Sequence, residues 1–216
     1  RADNFARLSN VSIKDLRDPK NAELFDFTLA AGKSAFGDNC ATCHGTGGQG
    51  FDGYPNLNDD VWIWGGSFKD IRHTLHVGIR AGHEDTRTNS MMAYGRDEIL
   101  SKAQIRDVAS YVYKLSGQSG HGYDYVDLAK GKTIFADQCV SCHGDTGTGD
   151  REQGAPNLTD MDWLYGGEID TIYNSIYNGR AGVMPNWNER LSPEMVTALA
   201  VYVHALGGGE YESDTQ

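Results

Sequence analysis

The sequence predicts an all-α protein built as two small helical domains in tandem, and three observations predict it. The pattern Cys-x-x-Cys-His occurs twice, as Cys40-Ala41-Thr42-Cys43-His44 and Cys139-Val140-Ser141-Cys142-His143, and the two copies use every cysteine of the chain. Each copy has the same ordered surroundings: Gly-x-x-x-Phe before it, then a glycine-rich loop, Pro-Asn-Leu, a tryptophan and a Gly-Gly pair. Both halves also carry apolar residues at the i, i+3, i+4, i+7 spacing of amphipathic helices. In 216 residues such a repeat gives two domains of about 100 residues each, a size at which the apolar core is small.

Residues 1–21 are polar and mixed in charge, with a stop at Asp18-Pro19, and read as an N-terminal arm or linker. The first domain, 22–117, opens with a helix carrying Leu24, Phe25, Leu29 and Phe36 and ending at Cys40. Gly32 lies one turn before Phe36, as Gly131 does before Phe135, which is expected to let another helix approach closely. Glycine-rich loops then lead to Pro55-Asn56-Leu57 and Pro156-Asn157-Leu158, followed by Trp62 and Trp163. Helical spacing returns with Ile71, Leu75 and Ile79, and with Ile172 and Ile176, each segment running into Arg-Ala-Gly at Arg80 or Arg180.

Each half next offers a methionine followed three residues later by an aromatic, Met91 with Tyr94 and Met184 with Trp187. The first half inserts a polar stretch around His83 to Asn89, read as a loop. The closing helices are announced by their caps: Ser101 with Gln104 forms a capping box, and Ser192 precedes Pro193 at the first helical position. They carry Val108, Tyr111, Val112, Leu115 and Leu199, Tyr202, Val203, Leu206, and stop at Gly117 and Gly207. Residues 118–124 read as a Gly/Ser-rich linker, 125–209 as the second domain and 210–216 as an acidic tail.

Two thiols and an adjacent histidine at this spacing are the signature of covalent haem attachment: the thiols add across the vinyl groups and the histidine binds the iron. A closed zinc site needs four ligands, and neither copy has a second Cys or His pair close by. A thioredoxin-like pair would sit at a strand-to-helix junction, whereas each motif here follows a helix and runs into glycines. The chain therefore reads as a dihaem c-type cytochrome, with two covalently bound haem c at Cys40, Cys43, Cys139 and Cys142 and with His44 and His143 as axial ligands. The net charge of -11 argues against a nucleic-acid partner and serves either solubility or the steering of a basic electron-transfer partner. No stretch approaches the apolar run of about 20 residues that spans a bilayer. The start at Arg1 reads as a processed product or an excised fragment, and covalent haem places the chain in an exported compartment.

The sixth iron ligand sets the function. Methionine sulfur raises the potential and fills the coordination sphere. In the second half Met184 is the candidate. In the first, the interval to the aromatic favours Met91, with Met92 the alternative as ligand or as a flexible filler. His73, His76 and His83 have no histidine counterparts once Arg80 is set against Arg180, and read as surface or packing residues. Arg80 and Arg180 are candidates to pair with haem propionates, or else complement helix dipoles. Trp62, Trp64 and Trp163 would wall the pocket or fill the core. The carbonyls of Pro55 and Pro156 would hold the ligand histidines by their other ring nitrogen, unless these prolines simply end loops.

This ordered set resembles class I cytochrome c domains. More narrowly, Pro55-Asn56-Leu57-Asn58-Asp59-Asp60, Trp62-Ile63-Trp64-Gly65-Gly66, Met91-Met92-Ala93-Tyr94-Gly95 and Val183-Met184-Pro185-Asn186-Trp187 resemble the dihaem subunit of cbb3-type cytochrome c oxidases. The resemblance covers about Leu24 to Gly207. It implies axial pairs His44 with Met91 and His143 with Met184, and an N-terminal membrane anchor that this sequence does not include. It also implies a place on the periplasmic side of the bacterial inner membrane. The implied role is electron transfer from a donor cytochrome c or the bc1 complex to the monohaem and haem-copper subunits, with no catalysis by the chain on its own. The alternatives are a free-standing dihaem carrier and, in a different class, a dihaem peroxidase or haem gas sensor; the repeated methionines argue against the latter.

Overall fold

The computed structural model describes residues 2–8, 12–119 and 122–211. Among them the regular elements are helices: α1 (Ala2–Leu8), α2 (Ile13–Leu16), a 3-10 turn (Pro19–Asn21), α3 (Ala22–Asn39), α4 (Ala41–His44) and α5 (Phe68–Val77), then α6 (Lys102–Leu115), α7 (Leu128–Gln138), α8 (Val140–His143), α9 (Ile169–Asn178) and α10 (Pro193–His204). Extended pairing is confined, in the described residues, to isolated bridges. The all-α class predicted from periodicity is the class observed.

The compact units cut across the sequence repeats. One consists of the chain up to Thr88 together with everything from Val183; the other is Asn89–Gly182. The packing therefore parts at 88/89 and 182/183, and not at the 117 and 125 expected from the repeat. The cause is an exchange of closing helices: α10 packs on α3, and α6 packs on α7.

In the first unit α3 crosses α10 at Gly32, where any Cβ would collide with the Ala198 carbonyl and the Tyr202 side chain. The expected close approach is thus made, by the closing helix of the other half. Phe36 and Tyr202 meet at 5.4 Å beside it. The core gathers Phe36, Leu57, Ile71, Leu75, Trp187 and Leu199. Helix α10 is buried on more than one side because the N-terminal segment covers its far face, with Leu8, Leu16 and Leu24 packed against Ala198 and Val201. The arm reading is corrected accordingly. Leu8 and Leu16 are 1% and 0% exposed, Ser12 caps α2, and Arg17 donates to His204 Nδ1 at 3.0 Å. The few apolar residues of this segment were hidden in a polar background.

The second unit repeats the plan with contiguous chain. A Cβ at Gly131 would collide with the Asp107 carbonyl, and Tyr111 meets Phe135 at 5.4 Å. Its core holds Tyr94, Leu100, Ile105, Val108, Phe135, Ile172 and Ile176. The capping box at Ser101 and Gln104 starts α6, and Asp127 caps α7. The expected linker is tied to this unit: Gln118 donates to the Gly167 carbonyl at 2.8 Å and the Tyr123 hydroxyl bonds Asp170. His121 lies outside the described residues, as does the tail from 212 to 216.

Candidate functional site

Helix α3 ends at Cys40, whose amide still bonds the Phe36 carbonyl at 2.8 Å, and a single turn, α4, carries the chain to His44. Gly45 then turns it away with φ 80. The loop folds back so that Gly50 N–H meets the His44 carbonyl at 2.8 Å and Leu57 N–H meets the Gly48 carbonyl at 2.7 Å. This brings the Pro55 carbonyl to 3.1 Å from His44 Nδ1. The second motif is superimposable in its bonding: Gly149 to His143 at 2.9 Å, Leu158 to Gly147 at 2.7 Å, and the Pro156 carbonyl 3.0 Å from His143 Nδ1.

A carbonyl only accepts, so each Nδ1 carries the proton and each Nε2 keeps its lone pair for a metal. Burial also holds both histidines below the usual imidazole pKa, which favours the neutral ligand form. No disulfide joins the four cysteines, whose sulfurs are thus available for covalent attachment. Burial pushes those of Cys40 and Cys139 up to about 11.

The methionines arrive crosswise. Gly78 and Gly179 end α5 and α9 with the same φ of 70. After Gly78, Ile79 exchanges backbone hydrogen bonds with Met184, at 2.9 and 3.0 Å; after Gly179, Arg180 exchanges them with Met91, at 2.9 and 3.1 Å. Three residues on, Trp187 N–H bonds the Leu75 carbonyl at 2.9 Å and Tyr94 N–H the Ile176 carbonyl at 3.1 Å. Met184 packs on the cluster holding Cys40, and Met91 on the cluster with Cys139. Each unit thus contains the histidine of one half and the methionine of the other, whereas the resemblance implies the pairs His44 with Met91 and His143 with Met184. Met91 is half-buried, whereas Met92 is 52% exposed.

The arginines also change places. The helix-ending glycines set Arg180 opposite Ile79, so Arg80 and Arg180 are not counterparts, and His73 and His76 fall opposite Asn174 and Tyr177 on exposed positions of α5. Arg180 stacks over Tyr165 at 3.9 Å and donates from Nε to Ser175 Oγ at 3.0 Å. The guanidinium in the matching place of the first unit is Arg87, 4.8 Å over Trp64. Arg87 comes from the inserted polar stretch and has no repeat partner, which is why the sequence did not reveal it. Trp62 packs on the Cys40 core and donates to the Gly208 carbonyl at 2.6 Å. Trp163 packs on the Cys139 core, its indole N–H buried and unpaired. Two thiols, an imidazole nitrogen, a thioether and a buried N–H seeking an acceptor form a donor set that fits haem c in each unit.

Comparison with known proteins follows the two sequential halves of the chain. The family model described as cytochrome c matches residues 29–116, and that described as cytochrome c oxidase, cbb3-type, subunit III matches 126–203. The cbb3-type cytochrome c oxidase subunit FixP of Bradyrhizobium sp. is 51% identical over 211 residues, covering 97% of this chain and 71% of the relative. The chain belongs to the FixP/CcoP family of cbb3-type oxidase subunits. CcoP of Azospirillum brasilense is 46% identical over 210 residues, with 94% and 70% covered, and FixP of Azorhizobium caulinodans 51% over 210, with 97% and 70% covered. Membership makes this an electron-transfer subunit of an oxidoreductase complex, with haem c as its cofactor and the other oxidase subunits as its partners. No helix among the described residues is long and apolar enough to cross a membrane.

Proposed function

We propose that the chain carries two covalent haem c groups, one per unit, ligated crosswise by His44 with Met184 and by His143 with Met91. It relays electrons from a donor cytochrome c or the bc1 complex to the monohaem and haem-copper subunits, on the periplasmic side of the inner membrane. The observation that supports this reading is the reciprocal bonding of Ile79 with Met184 and of Arg180 with Met91, with Met184 packed on the cluster of Cys40 and Met91 on that of Cys139. Bound haem supplies reversible one-electron exchange at iron. The proline carbonyls would fix the imidazoles, and the backbone bridges to Ile79 and Arg180 would fix the two methionines. Rigid ligands lower the reorganisation that an electron must wait for. A thioether in the sixth position also keeps oxygen and peroxide off the iron, which favours a relay over a peroxidase or gas sensor.

The test is a visible spectrum of the purified protein, oxidised and reduced, before and after carbon monoxide and peroxide. A low-spin c-type spectrum with two haems per chain and almost no response is expected. A fast, substantial response would give an open iron and move the sensor or peroxidase reading to the front.

A further inference from the structure

We infer that the haem carboxylates are held by different donors in the two units, the Arg87 guanidinium through Nε–H in the first and the Trp163 indole through Nε1–H in the second. This rests on the reading that each unit binds haem. Both nitrogens are buried and unpaired, and a buried N–H without an acceptor is destabilising because it has given up its bond to water. Each unit offers the same two candidates: the tryptophan that opens Trp-x-aromatic-Gly-Gly, and a guanidinium stacked on the aromatic two residues later. In each unit one of the two is already engaged within the protein, and it is not the same one. Trp62 Nε1 donates to the Gly208 carbonyl, leaving Arg87 Nε. In the second unit Arg180 Nε donates to Ser175, leaving Trp163 Nε1.

An acceptor from the protein does not fill these places. Asp70 acts electrostatically on Arg87, but its carboxylate accepts from the Ser67 hydroxyl at 2.7 Å in the cap of α5. A carboxylate brought by the cofactor satisfies both donors. Ser110 Oγ, likewise buried and unpaired among the described residues, sits beside Gly122 and has no place in this pattern. The two contacts are unequal: a guanidinium gives a charge-assisted bond, an indole a neutral one. A cation beside the cofactor also favours the reduced iron, which carries one positive charge less.

Potentiometric titration of the full holoprotein tests this, with haem counted by intact mass. Arg87→Gln is expected to lower the reduced-to-oxidised ratio of one haem, at fixed potential, by about tenfold, equivalent to about 59 mV for one electron. Arg87→Lys should restore most of it. Trp163→Phe should lower the ratio at the other haem by about threefold, and Arg72→Gln, which removes an exposed charge from α5, should move neither. If Arg87→Gln does not mature, Arg87→Lys and Trp163→Phe decide. Midpoints that stay within about twofold of wild type with both haems retained overturn this inference alone. A wild-type chain without covalent haem overturns the reading beneath it.

Discussion

The first unit is closed by two distant stretches of chain, the second by one. In the first, α3, α4 and α5 wait for Met184 and α10, which follow only after the whole of the second unit. In the second, Met91 and α6 come first and the Cys-His motif afterwards, so that the same fold is laid down in permuted order. The contacts themselves are nearly identical: glycine against a helix carbonyl, Phe against Tyr at 5.4 Å, histidine to proline carbonyl. Equal contacts mean that local pattern does not decide which closing helix packs where.

Cutting the chain is expected to have the largest effect. A fragment Asn89–Gly182, matured with haem, is expected to fold and give a low-spin His/Met spectrum, whereas a fragment 125–209 should give a high-spin or unfolded product. The opposite result would restore the sequential domains. A smaller effect sharpens the difference between the units. Leu16→Ala should destabilise the first unit by about 2–5 kcal/mol, seen as an earlier thermal transition with the second unit's transition unmoved, because Leu16 packs in the cluster with Ala198 and Val201 of α10. Smaller still, Trp62→Phe should cost about 1 kcal/mol by leaving the Gly208 carbonyl without its donor, measured as a shift of that same transition.

Much of this site could be read in the sequence because it depends on short-range chemistry. The Cys-x-x-Cys-His spacing, the Ser101 and Ser192 caps and the glycines ahead of Phe36 and Phe135 all act within a few residues, and the structure uses the caps and the glycines in the expected place. What the sequence concealed depends on long-range choice. The exchange of Met91 and Met184 leaves every local pattern unchanged. The N-terminal segment shows its purpose only once α10 lies beneath Leu8 and Leu16. The Arg-Ala-Gly match suggested that Arg80 and Arg180 are counterparts, yet the helix ends are set by Gly78 and Gly179, one residue out of step with that match. Arg87, in an insertion, had no second copy to draw attention to it.

The most direct test of crossed ligation uses a chain that can attach haem only at the first motif, with Cys139 and Cys142 replaced by alanine. In that background Met184→Ala should abolish the charge-transfer band of thioether-ligated ferric iron and turn the haem high-spin, while Met91→Ala should leave both unchanged. Loss of the band with Met91→Ala and its survival with Met184→Ala would contradict the account.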